Sequence, residues 1–261
     1  MKKIITSFLL LSSLSFSKEI ILVQGAMDME VDYLVKNLKN PTKEHVGSWT
    51  FWKGTFENHK VIVSRTEVGL VNAAAATTIG IERYSPTIII NQGTSGGHDI
   101  SLHTGDIVLG SEIINIGAMR TDRKEEGVPE NIRDSIFFDV VQRLRDNNDN
   151  LTTYKTFISD PSLIETAKNT SYSQGKLSLG TIGSADQWNR EIERIKYLNT
   201  TFKTKTEEME SIAVAQTAKA YNIPFLAIRI LSNTEIHNEE FNPKTALWCQ
   251  EFTMNVIKNI K

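Results

Sequence analysis

Short unbroken runs of Ile, Val and Leu alternate along this chain with segments in which apolar residues return at helical spacing. Glu19–Val23, Lys60–Ser64, Thr87–Asn91 and Pro224–Leu231 are runs of the first kind. They predict strands buried on both faces, because a half-exposed strand would alternate apolar with polar positions. Asp106–Gly110 and Lys176–Ile182 repeat the pattern in more broken form. Helical spacing runs over Asp28–Leu38, Val71–Arg83, Ile132–Asp146, Pro161–Asn169, Glu208–Tyr221 and Pro243–Lys258. Asp28 is placed to cap the first of these, and Gly69 stands just before the second. The polar stretches Met119–Asn131, with Arg120, Arg123 and Lys124, and Gly183–Tyr197 read as loops, and loops of that length in a compact domain often carry function. Strands alternating with helices predict an α/β fold: three αβα layers around a central twisted, mostly parallel mixed sheet.

The start of the chain stands apart. Met1-Lys2-Lys3 is basic, Ile4 to Phe16 is apolar and Ser-rich, and Ser15 and Ser17 suit a cleavage site. Residues 1–17 therefore read as an export signal, which predicts a periplasmic or secreted protein. The apolar core is shorter than the about 20 residues needed to span a bilayer, so no membrane span is expected. Residues 18–261 carry no linker-like break and are read as a single catalytic domain.

Charge and cysteine content narrow the chemistry. Lys and Arg total 29 against 31 Asp and Glu, a net charge of −2, and the basic residues are scattered, so nucleic acid is not an expected partner. Cys249 is the only cysteine, which removes a disulfide framework and any multi-cysteine metal site. The five His residues lack ligand-like pairing, and no metal is predicted. Cys249 itself, within Trp248-Cys-Gln-Glu-Phe, reads as a helix packing residue.

Chemistry-bearing residues gather where the predicted strands end and helices begin, the places where open α/β proteins build sites. Gly25-Ala-Met-Asp-Met-Glu30 follows the first strand. Asn91-Gln-Gly-Thr-Ser-Gly-Gly97 follows the third as a Gly-rich turn, whose backbone can approach a ligand closely and whose hydroxyls can bind one. Gly183-Ser-Ala-Asp-Gln-Trp-Asn189 opens a polar loop, and Glu208-Met-Glu-Ser211 opens an Ala-rich helix. Ser232-Asn233 ends the last apolar run. Taken alone, Asp28 and Glu30 could simply suit the positive end of a helix dipole, and Trp188 could fill a core.

In this order, over nearly all of the chain after Glu19, these segments resemble the purine nucleoside phosphorylase and uridine phosphorylase superfamily, nearest its methylthioadenosine/S-adenosylhomocysteine nucleosidase branch. The resemblance implies a nucleoside phosphorylase-like fold and hydrolysis of the N-glycosidic bond of purine nucleosides without a cofactor. Glu30 would then be the base that activates water, with Thr94, Ser95 and Gly96 beside the attacking oxygen. Trp188 would stack on the purine and the Asn189 backbone would bond the ring. Glu210 would hold the ribose hydroxyls, with Met209 lining the sugar, and Met27 and Phe241 would face its 5′ substituent. Ser232 and Asn233 would meet the leaving base, and a second copy of the chain would complete a homodimer. Glu208 is read as a helix-start or surface charge.

Two departures bear on the reaction. Hexameric purine phosphorylases resembling this chain carry arginine where Asn91 stands and basic residues where Asp28 and Glu30 stand; two acidic groups would repel phosphate and favour water. The nucleosidase branch has Asp in place of Asn233, and an amide can donate a hydrogen bond to N7 but cannot deliver a proton. Either 6-oxopurine nucleosides are preferred, or adenine nucleosides are cleaved by a slower route. A phosphate-dependent phosphorylase and a non-catalytic nucleoside-binding protein are the alternative readings.

Overall fold

The computed structural model describes residues 19–129 and 131–261; the predicted export signal lies outside them. The first half of the chain forms β1 (Ile20–Gly25), α1 (Asp28–Lys36), β2 (Lys39–Val46), β3 (Trp49–Phe56), β4 (His59–Arg65), α2 (Leu70–Tyr84), β5 (Ile88–Gly97) and β6 (Ile107–Asn115). A polar excursion follows with short strands β7 (Met119–Arg120), β8 (Ile136–Phe137), β9 (Arg143–Arg145), β10 (Leu151–Thr153) and β11 (Phe157–Ile158). The chain then completes α3 (Pro161–Lys168), β12 (Leu177–Ser184), α4 (Ile192–Phe202), β13 (Thr204–Glu208), α5 (Ser211–Ala220), β14 (Phe225–Asn233) and α6 (Lys244–Asn259). Among the described residues no helix is long and apolar enough to cross a membrane.

The main sheet is mixed. β1 lies parallel between β4 and β5, and the antiparallel hairpins β2–β3–β4 extend one edge. At the other side β14 runs parallel to β5 and antiparallel to β6, while β6 pairs β12, β12 pairs β13, and β13 returns to β5. Those pairings close a ring at one end of the open sheet. β14 sits inside it with every residue buried, which is why its sequence runs apolar without alternation. Two buried apolar clusters cover the opposite faces, one including Val31, Leu34 and Phe252 from α1 and α6, the other Ala73, Val214 and Ala218 from α2 and α5. Cys249 is buried in the first, and burial pushes its thiol up to about 12.

Several sequence expectations need correction. Asp28 does not cap α1: Met27 is the N-cap, and Asp28 is the first helical residue, its carboxylate paired with Arg65. The Gly-rich segment after Thr87–Asn91 is not a turn, since β5 continues through Gly97. Ile132–Asp146 is not a helix but two 3-10 turns, Ile132–Asp134 and Asp139–Val141, with β8 and β9. The adjacent bulky pair Phe137-Phe138 favours extended backbone, and Gln142 is buried with its amide donating to the Tyr154 and Lys155 carbonyls. The stretch Gly183–Tyr197 holds the end of β12 and the start of α4, whose N-cap Glu191 accepts the Glu193 and Arg194 N–H groups. The helix read from Glu208 starts at Ser211, and Glu208 instead closes β13.

Candidate active site

A cavity of about 340 Å³ opens at the carboxyl ends of β1, β5, β12, β13 and β14. That volume falls within the range of small-molecule sites. Met27, Glu30, Thr94, Ser95, Gly96, Trp188, Met209, Glu210, Ser232, Asn233 and Phe241 all line it, so the structure brings together every sequence-selected site residue but Asn189. Asn189 stands behind the wall, its backbone N–H donating to Glu207 Oε1 at 2.7 Å.

One end is organised around Glu30, in the first turn of α1 and buried. Its Oε1 accepts the Thr94 N–H and hydroxyl, each at 2.8 Å. Its Oε2 accepts the Ala26 N–H at 2.9 Å and the Met27 N–H at 3.2 Å. The helix-end role and the cavity-facing role are therefore filled by the same carboxylate. The α1 helix that carries it is tied to α6 by Gln250, whose Oε1 accepts the Tyr33 N–H at 2.9 Å and whose amide donates to the Met29 carbonyl at 2.8 Å. Gly93 has no alternative at its position in β5: a Cβ there would lie 2.6 Å from Arg229 Nη1 and 2.8 Å from Glu30 Oε1.

The middle of the cavity holds Met209 and Glu210 between β13 and α5. Glu210 Oε1 accepts the Gly69 N–H at 3.0 Å, and Oε2 lies 3.5 Å from Arg229 Nη2. Gly69, the N-cap of α2, sits at φ 101°, a conformation that side-chain-bearing residues avoid. Burial pushes the Glu210 carboxyl up to about 8; Arg229 works against this, while Glu208 and Glu30 add to it. Glu208, read from sequence as a helix-start or surface charge, does serve the start of α5, accepting the Glu210 and Ser211 N–H groups at 3.0 and 2.9 Å, but it is not on the surface: it is buried 2.5 Å from Arg229 Nη2. Arg229 is 1% exposed. Burial works to lower its pKa, but Glu208, Glu210 and Glu30 together hold it raised.

The other end presents Trp188, 64% exposed, with Asn233 and Glu207 deeper inside. The Ser232 hydroxyl lies 3.1 Å from Asn233 Oδ1 and can donate to it, leaving the amide NH₂ for a ligand. Phe241 and Val68 form an apolar rim, both partly exposed.

This architecture and order of residues has relatives. The model of the phosphorylase superfamily matches residues 20–260. The chain belongs to the phosphorylase superfamily. Among its relatives, the 5′-methylthioadenosine/S-adenosylhomocysteine nucleosidase of Bacillus licheniformis is 30% identical over 251 residues, covering 92% of this chain and 99% of that protein. The crystal structure of the nucleosidase of the same name from Neisseria meningitidis, in complex with methylthio-immucillin-A, superposes with a TM-score of 0.76 at 25% identity, covering 93% of this chain and all of that one. The futalosine hydrolase of Helicobacter pylori shares the fold, with a TM-score of 0.74 at 20% identity over 93% of this chain and 98% of that one.

Within this superfamily framework, sequence reasoning missed Glu207, Glu208 and Arg229. Arg229 could have been found: a lone charge within an unbroken apolar strand demands a buried counter-charge. Glu207 and Glu208 gave no such signal. They lie in Thr-Lys-Thr-Glu-Glu, an apolar-free strand that is largely buried because β5 and β12 flank it.

Proposed function

We propose that the protein is a nucleosidase that hydrolyses the N-glycosidic bond of purine nucleosides. The observation that carries this reading is the Glu30 carboxylate, which faces the same cavity as Trp188 and Glu210 while, among the described residues, no Lys or Arg lines it. Breaking the bond passes through an oxocarbenium-like sugar, so a carboxylate on the attacking face can hold water, take its proton and balance the developing positive charge. Water attacks C1′ and gives its proton to Glu30; the C1′–N9 bond breaks and its electron pair leaves with the purine. Glu210 offers two oxygens to the adjacent ribose hydroxyls, both of them acceptors once its carboxyl is ionised, with Met209 against the sugar. Trp188 provides the π face for the base. Asn233 donates to its N7/O6 side. Thr94 fixes Glu30, while Met27 and Phe241 lie where a 5′ substituent would emerge.

Phosphate as nucleophile is disfavoured because it would have to sit against Glu30. Arg65, which pairs with Asp28 in the same first turn of α1 as Glu30, is occupied by Asp28 and Glu67 and does not line the cavity. Release of free base from a panel of purine nucleosides, measured with and without phosphate, tests the proposal. Equal release in both is expected; strict dependence on phosphate would make the protein a phosphorylase, and tight binding without release would make it a binding protein.

Two further elements belong to the same reading. We propose a homodimer in which a second copy covers the apolar rim of Val68, Val71 and Phe241, exposed by 43, 80 and 42%; sedimentation of a monomer at micromolar concentration would refute it. We also propose export, supported by the basic, apolar and small-residue order of residues 1–17; recovery of the full-length chain only in the cytoplasmic fraction would refute it.

A further inference from the structure

Glu207 faces the base end of the cavity, is 4% exposed, and has no task in the hydrolytic step. Resting on the nucleosidase reading, we infer that Glu207 reads the Watson–Crick edge of the base and makes the enzyme selective for 6-oxopurine nucleosides, guanosine above inosine. Glu207 and Asn233 converge on one point: a Cβ built on Gly96 would lie 3.8 Å from Glu207 Cγ and 3.7 Å from Asn233 Nδ2. The Glu207 side chain, through its Cγ, and the Asn233 amide nitrogen thus border the same small gap beside Gly96, and both residues line the cavity.

Hydrogen-bond chemistry decides which base fits. A carboxylate only accepts. Guanine offers two parallel donors, N1–H and the N2 amino group, which match the two oxygens of a carboxylate. Hypoxanthine offers N1–H alone. Adenine offers no donor at N1; its ring nitrogen lone pair would point at the carboxylate. On the other side, the Asn233 amide NH₂ suits O6 and N7, both acceptors in a 6-oxopurine, whereas adenine places an amino donor at C6.

The surroundings of Glu207 fit exchange with a ligand. Its Oε1 holds the Asn189 backbone N–H, and its Oε2 holds the Asn189 side-chain amide at 2.5 Å. Asn189 is only half-buried, so that amide can turn to solvent and leave Oε2 to a donor on the base, while the backbone bond persists. Behind the carboxylate, His98 Nε2 lies 3.2 Å from Oε2, outside hydrogen-bond geometry, and the ring is anchored through Nδ1 to Thr204 Oγ1 at 2.8 Å. A buried acceptor kept in place by a removable amide is costly to leave unmatched. A base that brings its own donors meets that cost; one that brings a lone pair does not.

The test compares kcat/KM for guanosine, inosine and adenosine, by chromatography of released base, in the wild-type protein and Glu207→Gln. The wild-type protein is expected to favour guanosine and inosine over adenosine by at least about tenfold, because a site built around a donor rejects a base lacking it. In Glu207→Gln, guanosine should fall roughly ten- to a hundredfold. Adenosine should hold or rise, since an amide can donate to N1. Preference of the wild-type protein for adenosine, or an equal loss on all three substrates in the variant, would overturn the assignment and leave Glu207 a support for Asn189. If no nucleoside releases base, the hydrolytic reading itself fails. Calorimetric titration with hypoxanthine and adenine then decides the role of Glu207. Tighter hypoxanthine binding that reverses in the variant upholds it, and equal binding of the two bases overturns it.

Discussion

Glu30→Gln separates catalysis from the helix-end role that the same side chain fills. The substitution keeps size and shape but exchanges one acceptor oxygen for an NH₂. In the native protein the carboxylate accepts from Thr94 N–H, Thr94 Oγ1, Ala26 N–H and Met27 N–H. If the new NH₂ faces Ala26 and Met27, two backbone donors lose their acceptor; if it faces Thr94, the hydroxyl can turn and only one donor is stranded. The second arrangement is the cheaper, at about 1–3 kcal/mol for one unsatisfied buried donor. A chain of this length should then lose roughly 2–8 °C in Tm. The rate should fall much further. Loss of a general base costs about 10²–10⁴-fold, equivalent to ~3–5 kcal/mol at the transition state. The assay is kcat for base release at saturating purine nucleoside, run well below the melting temperature of the variant, with Tm followed by circular dichroism. A kcat within tenfold of wild type, alongside the expected loss of Tm, would refute the reasoning: Glu30 would be a helix cap and nothing more.

Other perturbations act on different parts of the site. Trp188→Ala should raise KM by roughly ten- to a hundredfold, since stacking on a base is worth ~1–3 kcal/mol, and because the ring is 64% exposed Tm should not move; a falling Tm would make Trp188 a packing residue. Asn233→Asp should speed cleavage of adenosine by supplying a proton for N7, and unchanged or lower activity would count against that position. Arg229→Met should cost about 3–5 kcal/mol, because Glu208 and Glu210 would stay buried without their cation; a melting temperature near wild type would contradict the ion-pair account. Glu210→Gln should abolish turnover yet stabilise the protein progressively as pH rises from 4.5 to about 8. The folded carboxyl, with its pKa raised, keeps its proton over that interval while the unfolded one releases it, so wild-type stability is lost as pH increases, by at most ~1.4 kcal/mol per pH unit. Melting curves for wild type and variant that run parallel across that window would refute the shift.

What was legible in the sequence followed from burial. The strands β1, β4, β5 and β14 were readable as apolar runs because each is covered on both faces, and the motifs at their ends were readable because the runs stop there. The hairpin β2–β3 escaped because β2 is an exposed edge with no apolar face to display. β13 escaped for the opposite reason: it is largely buried but made of Thr, Lys and Glu, and its polar groups find partners only after β5, β12 and Arg229 are in place. The false helix at Ile132–Asp146 shows helical spacing overridden by tertiary contacts, including Phe137 against Phe202 at 5.8 Å. Site residues that end strands could be placed from sequence. Those held only by long-range pairing, Glu207 above all, could not.

The charge arrangement links stability, nucleophile and transition state. Glu30, Glu208 and Glu210 are buried around the single guanidinium of Arg229, so the ionised cluster is anionic overall. Folding bears the cost, visible in the raised Glu210 carboxyl. A fully neutralised cluster would fold more easily but offer less to a sugar that becomes cationic as the base departs. The same excess of negative charge that favours that cation opposes a phosphate dianion, so stabilising the oxocarbenium-like state and selecting water are one electrostatic property of the cavity. A phosphate-using enzyme on this framework would need a cation on the attacking face, where this chain has Glu30 and, on the adjoining strand, Thr94.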